Sequence, residues 1–326
     1  MKKVKFEDWA ELWLEYALKD RVKDNTYYSY ANIVNNHLIP YFKGKNLNEI
    51  SFLEVQKYFN ILSKSCYHDF LIKNKCLLSQ IFDIGIIDGK CLHNPCDKIK
   101  MPKGKQTKKK EVYSEEEAEL IFQYAYTHRF GAEIQLMLET GICRYELLGL
   151  QWDDIDFKNR ILYIRRGVAD IIDSTTGHFR VVVGNTKNEY RERAVPISKR
   201  MCDILSNIDK TLMVGKSEHR HQAGVEVNKK FIFCNRYGEV CSPRNWSRRH
   251  YNVFMKDMQN YYSDKGIDIP IYTPHQLRHT RASIWVNSGK NLYAVAKVLG
   301  HSSLDMLEKR YAHSNVEQLR ELLEIN

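Results

Sequence analysis

Towards the C-terminal end of the chain, His275-Gln-Leu-Arg278 is followed by Gly300-His301 and then by Arg310-Tyr311-Ala-His313. Four of these side chains, His275, Arg278, His301 and Tyr311, are of the types that hold, protonate and attack a phosphodiester. An arginine fork offers paired hydrogen bonds to phosphate oxygens. Imidazoles move protons near neutral pH, and a phenol becomes a covalent nucleophile once its proton has an acceptor. The eight cysteines are irregularly spaced, and no Cys-x-x-Cys or Cys/His cluster has metal-ligand spacing. The chemistry implied is phosphoryl transfer at a site without a metal cage.

The elements that must position these groups can be read from local signals. Thr273-Pro274 fixes a helix start just before His275. Ser114-Glu-Glu-Glu117 is a capping box opening a helix through Tyr126, with Ala118, Leu120, Ile121 and Tyr124 inward. Helix continues over Glu133 to Glu139 until Thr140-Gly141 breaks it. Arg160 to Arg165, Phe179 to Val183 and Arg193 to Ile197 read as strands of one small antiparallel sheet, and Phe231 to Phe233 as a further short strand. Pro243 to Tyr262 reads as a helix rich in arginine and aromatics.

Upstream, Phe6 to Asp97 reads as helices. Phe6, Trp9, Trp13, Tyr16 and Ala17 recur at helical steps, as do Tyr27, Tyr30, Val34, Leu38 and Tyr41 within Asn25 to Phe42. This aromatic stripe reads as core. Ser51-Phe-Leu-Glu54 caps a third helix through Leu62, and His68 to Ile87 forms a fourth, ended by Asp88-Gly89. From Lys98 to Lys110 there are seven lysines and no acid, with Pro102 and Gly104 interrupting regular structure. The expected division is a helical domain over 1–97, a basic linker over 98–112 and a domain over 113–326 carrying the chemistry. The class is mainly α with a small antiparallel sheet (α+β).

The 326 residues exceed one compact core, and a net charge of +10 points to a polyanionic partner, nucleic acid before membrane. The first residues turn acidic before an apolar stretch forms, which argues against a secretory signal, and the cysteines read as reduced thiols of a cytoplasmic protein. In the linker, Lys103, Lys105, Lys108, Lys109 and Lys110 read as a strap tracking DNA phosphates.

Thr273-Pro-His-Gln-Leu-Arg-His279, with Leu299-Gly-His301 and Tyr311, resembles the tyrosine recombinase (phage integrase) family, in particular integrases of phages and conjugative transposons. Taken singly, each residue is commoner as a packing or solvated group; the set at this spacing carries the resemblance. The resemblance implies a site-specific recombinase that cuts and rejoins double-stranded DNA through a 3′-phosphotyrosyl intermediate. It also implies a homo-tetramer on DNA, with an accessory directionality factor as a further partner. It makes Tyr311 the nucleophile, Arg278 a clamp on the phosphate, and His275 and His301 its hydrogen-bonding and proton-handling partners. Lys187, in the turn before Arg193-Ala-Val-Pro-Ile197, resembles the hairpin lysine that protonates the leaving 5′-oxygen. The chain begins almost directly with the helices that resemble the core-binding module, which leaves no room within it for the arm-binding domain of many integrases; either the enzyme uses simple sites or this chain is a trimmed version of a longer one.

One position departs from the pattern. In Thr140-Gly-Ile-Cys-Arg-Tyr-Glu-Leu147 the first catalytic arginine of the family falls on Cys143, and an arginine stands one residue later. Arg144 is taken as that clamp, and Glu146 as the acid that orients it or the lysine turn. Two alternatives stay open: a type IB topoisomerase-like enzyme, and a DNA-binding protein of this fold with impaired catalysis.

Overall fold

The computed structural model describes residues 3–105, 111–172, 177–185, 192–214, 225–228, 230–235 and 237–300. The chain divides into two units, Met1–Lys109 with Ile171–Arg180, and Lys110–Asp170 with Val181–Asn326.

The first unit is built on helices α1 (Phe6–Leu12), α2 (Asp24–Ile33), α3 (Ile39–Phe42), α4 (Phe52–Leu62) and α5 (His68–Ile87). Ser51 caps α4 in a reciprocal capping box with Glu54. The aromatic stripe is core: Phe6 and Phe42 are fully buried with ring centroids 5.0 Å apart, and the Trp9 indole donates to the Ile81 carbonyl at 3.0 Å. Truncating a buried ring such as Phe42 to alanine costs roughly 3–5 kcal/mol. Helix α1 runs on as a π-helical stretch, Trp13–Leu18, and α2 continues into another, Val34–Leu38. A π turn holds an extra residue, with bonds from i to i+5, such as Lys19 N–H to the Leu14 carbonyl. The inward positions shift accordingly. Leu14 and Leu18 are buried, and Tyr16, expected on the apolar stripe, is 82% exposed.

The stretch read as the start of the linker is tied to this unit. The Lys100 amide donates to Gln56, whose side chain donates back to the Lys100 carbonyl, and the Lys105 amide donates to the Cys66 carbonyl at 2.9 Å. Gly104 lies at φ +48°, where a Cβ would meet the His68 amide nitrogen and the Leu71 side chain at 3.0 Å. Both the left-handed φ and this tight approach favour glycine here.

In the second unit, α6 (Glu115–Ala125) starts at the Ser114 capping box and α7 (Gly131–Thr140) ends on Gly141, which is left-handed at φ +67°. A short α8 (Arg144–Leu147) leads to β1 (Ile155–Asp156) and β2 (Ile161–Ile164), which pair antiparallel with β5 (Arg193–Pro196) in the order β1-β2-β5. Strands β3 (Arg166–Ile172) and β4 (Phe179–Asn185) form a separate two-stranded sheet, and β6 (Thr211–Val214) pairs with β7 (Val225–Asn228). The strands thus lie in several small sheets, where the sequence suggested one. The strand expected at Phe231 to Phe233 is instead held by isolated bridges, Gln151 to Phe231 and Cys234 to Val240.

Helix α9 (Lys199–Ser206), capped by Ser198, follows β5. A helical run comprises α10 (Pro243–Trp246), a π turn (Ser247–Tyr251) and α11 (Asn252–Ser263), and is followed by α12 (Pro274–Asn287) and α13 (Leu292–Leu299). Their shared core includes Ile121, Leu136, Met137, Leu162, Ile164, Trp246, Phe254 and Leu277. Leu162 lies opposite Val195 and Ile164 opposite Arg193, so an arginine occupies the row of β5 that faces this core.

Candidate active site

Helix α12 presents the His-x-x-Arg pair. The Thr273 amide donates to Gln276 at 2.8 Å, Pro274 takes the first helical position, and the Thr280 hydroxyl accepts the Tyr113 amide at 3.1 Å. His275 is consequently exposed in the first turn, with its ring edge-on to buried His279 at 4.5 Å. Arg278, one turn on, is buried. Its guanidinium donates to the Gly141 carbonyl at 3.1 Å and to the Leu299 carbonyl, and lies 3.7 Å from the Glu146 carboxylate. The ends of α7 and α13 are therefore gathered onto one cation. Both supply carbonyls that a helix C-terminus leaves unpaired, at its negative dipole end.

Glu146 organises the other side. One carboxylate oxygen accepts the Cys143 amide at 3.0 Å, and the pair of oxygens receives Arg193 in a fork, Nη1 to Oε1 at 2.8 Å and Nη2 to Oε2 at 3.0 Å. Burial pushes the Glu146 carboxyl up, but the Arg193 hydrogen bonds and the charges of Arg193 and Arg278 outweigh it and hold it below the usual carboxylate range. Removing one partner from such a buried group costs about 3–5 kcal/mol. Arg193, Arg278 and the Cys143 amide thus converge on Glu146, with the Cys143 thiol beside them. Arg193 was not singled out from the sequence as a site residue. The signal was there: with period two, Arg193 shares a face with Val195 and Ile197, both buried, and an arginine on a buried strand face needs a partner.

The position that departs from the family pattern is resolved in side-chain detail. Enclosure of the Cys143 thiol, with the Glu146 charge beside it, pushes it up to about 11 against the opposing pull of Arg278, so it is neutral at pH 7. Arg144 runs elsewhere. Its Nη1 donates to the Ser247 hydroxyl at 2.6 Å, on the π turn that follows α10. Arg144 and Glu146 are two residues apart on α8, about 200° around the axis, which accounts for their different directions.

Lys187, His301, Tyr311 and Lys108, Lys109 and Lys110 lie outside the described residues. Lys187 falls between the end of β4 and the start of β5, and His301 follows Gly300 at the end of α13. Lys103 and Lys105 are exposed on the first unit. Among the described residues no group of three or more His, Cys, Asp or Glu side chains could hold a metal ion, and no helix is long and apolar enough to cross a membrane.

Comparison with known proteins decides the family. Residues 111–318 match the model of the phage integrase family, and residues 5–63 that of the phage integrase N-terminal SAM-like domain. The chain belongs to the phage integrase family of tyrosine recombinases. It is 25% identical to a tyrosine recombinase XerC-like protein of Caldanaerobacter subterraneus over 94% of its own length and 78% of that protein's. It is 28% identical to the transposase from transposon Tn916 of Enterococcus faecalis, over 84% of its length and 65% of that relative's. Its fold matches the Tn1549 transposon integrase solved in complex with a circular intermediate DNA, with a TM-score of 0.76, 18% identity and 99% of each chain covered. Tyrosine recombinases are enzymes that cut and rejoin DNA strands, and this chain is a recombinase of the integrase type.

Proposed function

We propose that this recombinase acts on double-stranded DNA sites of a mobile element through a covalent 3′-phosphotyrosyl intermediate formed by Tyr311. Attack by the phenol conserves the energy of the phosphodiester, so the released 5′-hydroxyl can rejoin without ATP. Arg278 binds the non-bridging oxygens as charge builds. His275 and His301 hydrogen-bond the phosphate and handle the tyrosine proton, and Lys187 protonates the leaving oxygen. The observation that carries this reading is the setting of Arg278: a buried guanidinium fixed by two helix ends and Glu146, one turn from His275 and in contact with the carbonyl two residues before His301.

Exchange between two duplexes requires four cleavages, which a homo-tetramer supplies with one Tyr311 per protomer. In this reading a helical DNA-binding module over 1–97, a basic linker over 98–112 and a catalytic domain over 113–326 act together on DNA, in the cytoplasm where that DNA lies. A directionality factor would act on the assembled complex. The test is Tyr311→Phe, assayed on a nicked duplex built from the DNA flanking the gene. Binding should be unchanged, and the SDS-resistant, protease-sensitive adduct should vanish; an adduct formed by the Phe variant overturns the assignment.

The contact from Arg144 to Ser247 favours a second reading, a DNA-binding member with weakened catalysis. If Arg144 is the first clamp it must leave Ser247, giving up a hydrogen bond from a charged donor worth about 1.5–3 kcal/mol.

A further inference from the structure

Arg193 holds more than Glu146. Its side chain is 4% exposed, and besides the two hydrogen bonds to the carboxylate its Nε donates to the Val298 carbonyl at 2.5 Å. The next carbonyl along, that of Leu299, accepts from Arg278. Successive unpaired carbonyls at the end of α13 are thus taken by two guanidiniums that share Glu146. Gly300 completes the joint. It lies at φ +69°, and a Cβ built there would meet Arg193 Nη1 at 3.0 Å, Cζ at 3.2 Å and Nε at 3.3 Å. Gly300, the residue before His301, therefore stands close beside the Arg193 guanidinium at a left-handed φ that favours glycine, and a Cβ there would make the guanidinium give by a few tenths of an ångström.

We propose that Arg193 is a positioning residue, setting where the end of α13 delivers His301 by locking Val298 and Gly300 to Glu146. It does not touch the phosphate: three of its five N–H groups are committed to protein oxygens and the group is enclosed. It acts through its neighbours. Lysine cannot replace it, since a single ammonium cannot fork onto the carboxylate and reach a carbonyl from a third nitrogen. The inference rests on the reading of His301 as a group that acts on the phosphate.

The experiment is single-turnover cleavage of a nicked duplex built on the DNA flanking the gene, at protein concentrations that saturate it, with melting temperature and DNA affinity measured in parallel. Arg193→Lys should bind within a few-fold of the parent and cleave at least ten-fold more slowly. Gly300→Ala, which leaves the arginine in place and pushes it from the other side, should show the same split. The double variant Arg193→Lys, His301→Ala should be no slower than His301→Ala alone. Multiplying losses in the double variant, or parental cleavage by Arg193→Lys, would overturn the proposal. Should Arg193→Lys not fold, Gly300→Ala and its combination with His301→Ala decide the question on the same terms. Parental cleavage by His301→Ala alone would locate the failure in the reading of His301.

Discussion

At the scale of single residues, the contest is between Cys143 and Arg144. Cys143 occupies the expected position but carries a neutral thiol, a weak donor that cannot offset charge on a phosphorane. Arg144 carries the charge but is directed to Ser247. If Arg144 is released to DNA and serves as the clamp, Arg144→Ala should lower single-turnover cleavage at least a hundredfold, the size expected for loss of a transition-state donor worth on the order of 3 kcal/mol. Cys143→Ser should then be nearly silent. If the clamp is missing, Cys143→Arg should accelerate cleavage and Arg144→Ala should leave it unchanged, so the two readings predict opposite responses. Glu146 offers an independent test in pH. Its folded carboxyl titrates below the unfolded one, so its contribution to stability is present above the unfolded value, near 4.5, and is lost as pH falls through the folded value. Glu146→Gln should remove that part of the acid sensitivity. Melting curves from pH 6 to pH 3 should therefore slope less steeply for the variant, and equal slopes would show that Glu146 does not gain its ionised form on folding.

At the scale of elements, what was legible in the sequence was whatever is written in local chemistry. Ser51, Ser114 and Thr273 each sit three residues before a glutamate or glutamine, and each heads the helix it announced. Gly141 marks the end of α7 for the same kind of reason. What escaped depends on partners distant in sequence. Strand β3 begins right after β2 without a turn residue of its own, and only pairing with β4 makes it a strand. The π turns at Trp13–Leu18, Val34–Leu38 and Ser247–Tyr251 leave apolar spacings that an α-helix also explains. In the site, the His-x-x-Arg spacing was legible because both residues share one helix. For Arg193 only the need for a partner was legible, from its place on a buried strand face; which partners it takes was not, because Glu146 lies on α8 and the Val298 carbonyl at the end of α13.

At the scale of the whole molecule, basic charge is spread over both units and the stretch between them. Lys103 and Lys105 stand exposed where the chain is pinned to the helical unit by Gln56 and Cys66, and Lys108, Lys109 and Lys110 follow. If these form a strap on phosphates, replacing the last three by glutamine should weaken binding to every DNA sequence alike. The slope of log affinity against log salt should flatten by up to about 0.9 for each phosphate no longer neutralised. An unchanged slope would make the stretch a tether.

The π turn at the end of α1 has one more consequence. It is a helix with a residue to spare: remove exposed Tyr16 and the buried set Phe6, Trp9, Ala10, Trp13, Leu14 and Leu18 falls onto a regular α-helical repeat with nothing left over. This stretch is therefore where the chain can change its length by one and keep its core, a place where evolution can edit the helix without having to rewrite it.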